Sequence, residues 1–112
     1  MIDHLEFISN VPGWPGKIFT GTYLTFPQLV AWEKALSRAT KLKESTESLY
    51  EFYAELLPSA IPLIKKWEIE RLPENVTYEN FPASPRLVAW LVETITDLYE
   101  KTNASDPNSQ GG

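Results

Sequence analysis

The chain has 112 residues, 43% of them hydrophobic, which suits one domain with a single core. Fifteen acidic and ten basic residues give a formal net charge of −5, and no basic stripe of the kind used to bind nucleic acid is visible. The absence of cysteine excludes disulfides, thiolate catalysis and cysteine-based zinc sites. No apolar run approaches the roughly 20 residues of a membrane span, and the first residues do not look like a signal peptide. These features predict a cytoplasmic protein.

Residues 1–24 mix residues that favour β-strands with turn formers. The run 17–24 is rich in Ile, Phe, Thr and Tyr, which suit a pleated surface, and residues 4–8 are a second candidate strand. The Pro- and Gly-rich stretch 11–16 between them must turn. The pattern predicts a short β-hairpin or an extended segment. It has to pack on the rest of the domain, because a lone hairpin is only marginally stable.

Two helices have well-marked starts. The first is predicted over 25–43 and begins at a capping box, with Thr25 as the cap and Gln28 three residues later. The last is predicted over 84–102, where Ser84 is the cap and a proline takes the first helical position. In both segments apolar residues recur at steps of three and four, which is the spacing of one helix face.

The middle segment, residues 45–68, allows two helical interpretations. Pro58 either bends one continuous helix or separates two helices. Ile61, Ile64 and Trp67 recur three residues apart, so the helical spacing continues beyond the proline. The sequence therefore predicts a mainly α fold, a small domain of three to four helices with a short N-terminal hairpin or extended segment.

The end of the chain differs in composition from the rest. Residues 69–83 form a connection interrupted by prolines, and residues 103–112 are almost entirely polar or Gly. Such a polar segment buries too little apolar surface to offset the entropy lost on ordering. The prediction is one domain over 1–102, followed by a disordered, flexible tail over 103–112.

The sequence offers few groups for catalysis. His4 is the only histidine, and its position near the start of the chain favours a surface side chain over a catalytic base. Neither a glycine-rich phosphate loop nor the elbow of a serine nucleophile is present. We therefore expect no catalytic residue, no cofactor and no metal, and predict that the protein is not an enzyme.

Carboxylates cluster around the connection, at Glu68, Glu70, Glu74 and Glu79. Paired carboxylates can bind a hard cation or share acid–base work, but the residue order does not match a calcium loop. The simplest interpretation is a solvated acidic edge. The alternative is an electrostatic contact for a basic protein partner, carried by Glu68, Glu70 and Glu74.

Aromatic residues are abundant, with four Trp, five Tyr and five Phe. Most fall on predicted apolar faces, but Trp14 lies in the Pro/Gly turn and Trp90 lies away from the centre of its helix stripe. An exposed aromatic side chain is a candidate anchor for a partner. Alternatively, Trp90 packs against the N-terminal segment and Trp14 covers the core from its loop.

Several short segments resemble a pattern in small proteins of bacteriophage and prophage tail-gene modules, described as tail assembly chaperones. The resemblance covers about residues 20–100 and rests on LTFPQ at 24–28, Trp32-Glu33, LPENVT at 72–77, FPASPR at 81–86 and the pair Trp90-Leu91. In that pattern an LPEN segment leads to a proline-rich helix start and then to a Trp-Leu pair.

The resemblance implies a small, mostly helical protein made in the host cell cytoplasm. Such chaperones are thought to bind the long tape-measure protein and keep it soluble until tail-tube subunits polymerise around it. They use no cofactor, and weak self-association is expected. Two alternatives remain open: a structural tail or connector protein that is retained in the virion, and a generic protein-binding adaptor outside phage biology.

Overall fold

The computed structural model describes residues 4–45 and 49–105. These residues form three helices and three strands, with a single turn of 3₁₀ helix before the last strand. In chain order the elements are β1 (Leu5–Ile8), β2 (Gly16–Thr20), α1 (Phe26–Ser45), α2 (Leu49–Ala60), the 3₁₀ turn (Ile61–Leu63), β3 (Ile64–Ile69) and α3 (Pro85–Ser105).

The strands form one antiparallel sheet in the order β1-β2-β3, so the fold is α+β. The prediction of a mainly α domain is therefore wrong. The N-terminal strands do pair as a hairpin, but the hairpin is extended by β3, which the sequence pattern assigned to a helix. The error lies in the segment 45–68, which contains one helix, a 3₁₀ turn and a strand in place of one or two helices.

A register shift explains why β3 reads as a helix. Thr20 lies opposite Ile64 while Phe19 lies opposite Lys66, so Lys65 is an extra residue in the ladder. This irregularity places the inward-facing Ile64 and Trp67 three residues apart, whereas a regular strand would alternate every two. The resulting spacing is the one expected from a helix.

Local end signals place the first and last helices correctly. The Thr25 N–H donates to Gln28 Oε1 at 2.9 Å, and the Gln28 N–H donates to Thr25 Oγ1 at 3.4 Å, which confirms the predicted capping box. Ser84 Oγ accepts a hydrogen bond from the Leu87 N–H at 3.3 Å and caps α3. The last helix continues to Ser105, so the predicted tail begins three residues too early. Residues 106–112 lie outside the described part of the chain.

One hydrophobic core joins the sheet to all three helices. The buried side chains of β2 and β3 belong to the same cluster as those of the helices. Its largest fully buried members are Ile18, Trp32, Leu56, Leu87, Leu91, Ile95 and Leu98. The opposite face of the sheet carries charged residues, so the domain has two layers with helices covering one side of the sheet.

Two close contacts fix how the elements meet. Gly16 adopts φ +135° in β2, and a Cβ atom at this position would lie only 2.0 Å from the carbonyl oxygen of Glu68 in β3. At the other end of the domain, the Leu24 N–H just before α1 donates to Thr102 Oγ1 in the last turn of α3, at 3.0 Å. Segments that are distant in sequence are thereby held together.

Candidate protein-binding groove

The carboxylates singled out in the sequence are spread along the surface. Glu68 lies on the open face of the sheet, and the Lys66 ammonium is 2.9 Å from its carboxylate oxygen. This hydrogen bond lowers the pKa of the Glu68 carboxyl, and Lys17 opposite it acts in the same direction through its charge. Glu70 and Glu74 are exposed in the following connection. Among the described residues, no three acidic or histidine side chains are arranged to hold a metal ion.

Neither Trp14 nor Trp90 is as exposed as expected for a side chain that anchors a partner. Trp90 is only 8% exposed and belongs to the core, so the interpretation of this residue as a surface anchor is corrected. Trp14 is half-buried and packs against the core from the turn. The Arg71 guanidinium lies over the Trp14 ring, 4.8 Å from its centroid, and donates a hydrogen bond to the Gly13 carbonyl oxygen at 3.2 Å. Trp14 therefore covers the core from its loop, as the alternative interpretation predicted, and Trp90 is a member of the core.

Other aromatic side chains are more exposed, namely those of Tyr23, Phe26, Tyr50 and Tyr78, and the last two face a common groove. Tyr50, at the start of α2, is 69% exposed, and Tyr78, in the connection before α3, is 43% exposed. Both line an open groove with a cavity volume of about 360 Å³ between α2, this connection and the first turn of α3. Most of the surface that lines this groove is apolar.

One wall of the groove is a stripe along α2. It consists of Tyr50, Tyr53, Ala54 and Leu57, at positions i, i+3, i+4 and i+7 of the helix. Residues with this spacing share one face of a helix. Leu57 is buried against the core while Tyr50 projects into solvent, so the stripe runs from the interior to the surface.

The facing wall comes from the connection and the start of α3. It includes Tyr78, Phe81, Pro82, Pro85 and Val88. The rings of proline and the aromatic side chains lose little conformational freedom when they are covered, which favours them in binding surfaces.

Hydrogen bonds hold the connection that presents Tyr78. The Thr77 N–H donates to Asn80 Oδ1 at 2.7 Å, and the Asn80 N–H donates to Thr77 Oγ1 at 3.2 Å. The Asn80 side-chain amide also donates to the Asn75 carbonyl oxygen at 2.6 Å. Next to this turn, the Phe81 ring meets the Trp67 ring of β3 edge-on, with centroids 6.3 Å apart. These hydrogen bonds and the ring contact fix the position of this wall of the groove.

The chemistry of the groove is that of a binding surface. None of the described residues that line it is charged; its polar groups are tyrosine hydroxyls, Ser84 and backbone. Burial of apolar surface is the interaction that the groove provides.

A second recess, between α1 and α3, is more polar. The Tyr99 hydroxyl donates to Glu33 Oε2 at 2.8 Å, and this hydrogen bond raises the pKa of the phenol. Lys41 and Glu44 line the same recess. The interaction joins the two helices at the surface, and we assign it a structural role.

The sequence analysis missed the tyrosines of the groove. The residues singled out from the sequence did not include Tyr50, Tyr53 or Tyr78. The stripe of Tyr50, Tyr53, Ala54 and Leu57 was a usable signal, because its spacing defines a helix face. Its lack of cover could not be read from the sequence.

Comparisons with protein-family models, curated proteins and solved structures yield no match for this chain. None of the helices within residues 4–45 and 49–105 is both long and apolar enough to cross a membrane.

Proposed function

We propose that this chain is a protein-binding domain that acts as a tail assembly chaperone, holding the tape-measure protein during phage tail morphogenesis. The observation that carries the proposal is the open apolar groove. Its facing wall is formed largely by Phe81, Pro82 and Pro85, which belong to the segment on which the resemblance rests. The proposal assigns the chain no catalytic role and no cofactor.

The physical reason for such a chaperone lies in the partner. A long unassembled rod exposes apolar stripes that aggregate unless they are covered. A domain with an apolar groove can bind those stripes and thereby lower the concentration of uncovered partner. It releases the partner when tail-tube subunits compete for the same surface. The groove of this domain has apolar walls and an open side, which suits reversible covering.

Co-expression tests the proposal. Under the proposal a tape-measure gene belongs to the same gene module, and its product is made alone, with the wild-type chain, and with an Ala54→Trp variant whose indole fills the groove. We expect the wild-type chain to raise the soluble fraction of the partner several-fold and the filled variant to lose that effect. The matched control is Phe26→Ala, which removes a 76% exposed aromatic side chain outside the groove. Equal solubility of the partner with and without the wild-type chain would refute the proposal.

Mass spectrometry of purified virions separates the proposal from its structural alternative. A chaperone leaves the tail before completion and should be missing from finished particles. Its retention at a fixed copy number would assign the chain to the tail or connector proteins instead.

A further inference from the structure

We propose that the groove receives about two turns of an amphipathic helix from the partner, with an apolar stripe facing the walls and lysine or arginine residues flanking it. The inference rests on the proposed function only in that the occupant is a segment of another protein. It adds the secondary structure, the charge and the docking position of that segment.

The shape of the α2 wall supports a helical occupant. The four residues of its stripe rise by about 10 Å along the axis, which corresponds to two helical turns. Helices pack by fitting the side-chain ridges of one into the grooves of another, and a stripe at i, i+3, i+4 and i+7 forms such a ridge. Towards its end α2 packs on the core, through Leu56 and Leu57, but at Tyr50 the same face remains open. A further helix can therefore continue the packing.

The charges around the groove favour a basic partner. The two segments that line it, residues 50–57 and 78–88, contain three glutamates and one arginine, and Glu55 is already paired with Arg38. Glu51 and Glu79 are exposed, and each directly follows a tyrosine of the lining. Arg86 is also exposed and directly follows Pro85 of the lining, so two carboxylates and one cation flank the groove. An apolar floor beside exposed carboxylates is complementary to an apolar stripe flanked by cations.

The residues outside the described ranges do not supply such an occupant, because 1–3 and 46–48 are each shorter than two helical turns. Residues 106–112 read DPNSQGG and contain no aliphatic or aromatic side chain. They offer neither an apolar stripe nor a cation to the groove. The complementary segment therefore belongs to a different protein.

Synthetic peptides of roughly 18 residues, about five helical turns, test the inference directly. The first carries leucines at helical spacing with flanking lysines, and the second replaces the lysines by glutamates. A third has the composition of the first in scrambled order, and a fourth is proline-rich with lysines. Binding to the full chain is measured by titration calorimetry. We expect the basic amphipathic peptide to bind at least about tenfold more tightly than the other three.

Variants of the chain locate the binding. The double variant Tyr50→Ala, Tyr78→Ala should weaken binding of the basic peptide at least about tenfold, because it removes the two exposed aromatic contacts. Phe26→Ala should bind as the wild type does. Circular dichroism verifies that each variant is folded, and Tyr50→Phe should retain binding if the ring supplies the contact.

Charge reversal tests the electrostatic part. Glu51→Lys combined with Glu79→Lys should lower the affinity for the basic peptide and raise it for the acidic one. The control is Glu100→Lys, an exposed position about 18 Å along α3 from Val88, which should leave both affinities unchanged.

Three results would overturn the inference: tighter binding of the acidic or the proline-rich peptide, unchanged binding by the double tyrosine variant, or an equal effect of the Glu100 control. These failures are distinct from failure of the proposed function. A chain that solubilises the tape-measure protein but ignores the basic peptide is a chaperone that uses another surface or another ligand. A chain that binds the peptide in the groove but leaves the tape-measure protein insoluble has a different partner.

Discussion

Trp90 and Leu91 follow each other on α3, and both point away from solvent. Leu91 is fully buried and Trp90 is 8% exposed, so the indole contributes apolar surface to the core. Tyr50 illustrates the opposite case, since its ring is 69% exposed although it lies on an apolar stripe. At the scale of single residues, the structure therefore separates aromatic side chains that are buried in the core from those that are exposed at the surface.

Truncation of Trp90 should destabilise the domain strongly. Trp90→Ala removes a large buried ring and leaves a cavity, for which we expect a loss of about 3–5 kcal/mol in the free energy of unfolding. Urea unfolding followed by circular dichroism measures this loss. In the same experiment Tyr50→Ala, at an exposed position, should change stability by less than about 1 kcal/mol. Equal losses in the two variants would contradict this division between core and surface.

At the scale of elements, the sequence correctly predicted the features that depend on residues close together in the chain, such as helix starts. The start of α1 follows from Thr25 and Gln28, which lie within one turn of each other and form the hydrogen bonds expected of them. The strand β3 was missed because its identity depends on pairing with β2, some 45 residues earlier in the chain, and on the extra residue Lys65. No local pattern carries that information.

The pairing of β2 with β3 depends on the missing side chain at Gly16. Gly16→Ala would place a methyl group 2.0 Å from the Glu68 carbonyl oxygen, in a backbone conformation that L-residues rarely adopt. We expect a loss of at least about 2 kcal/mol in the free energy of unfolding, from backbone strain and displacement of the strand. Gly21→Ala is the matched control, because a Cβ there makes only ordinary contacts, the nearest at 3.4 Å. If both variants unfolded at the same urea concentration, this close approach would have no energetic role.

At the scale of the whole molecule, one core extends through the sheet and all three helices. The candidate groove depends on that arrangement. Its walls come from residues 50–57 and 78–88, which are brought side by side only when α2 and α3 pack together. The sequence could indicate the apolar stripe on α2, but only the assembled fold shows that no helix or strand within residues 4–45 and 49–105 covers it. The groove was therefore not predicted, and the sequence indicated Trp14 and Trp90 as candidate anchors instead.

A shared core predicts a single cooperative unfolding transition. The four tryptophans, Trp14, Trp32, Trp67 and Trp90, sample the turn, α1, β3 and α3 respectively. Urea transitions followed by tryptophan fluorescence and by far-ultraviolet circular dichroism should therefore have the same midpoint. Two separated midpoints would show that the sheet and the helices fold as independent units.

The hydrogen bond from Leu24 to Thr102 has a consequence for synthesis on the ribosome. Its donor and acceptor are 78 residues apart, so the segment that leads into α1 meets its partner only after the last turn of α3 has been translated. Until then the nascent chain leaves much of its future interior open to water and to other nascent chains. The domain therefore completes its fold only after α3 has been made, although α1 is translated well before it.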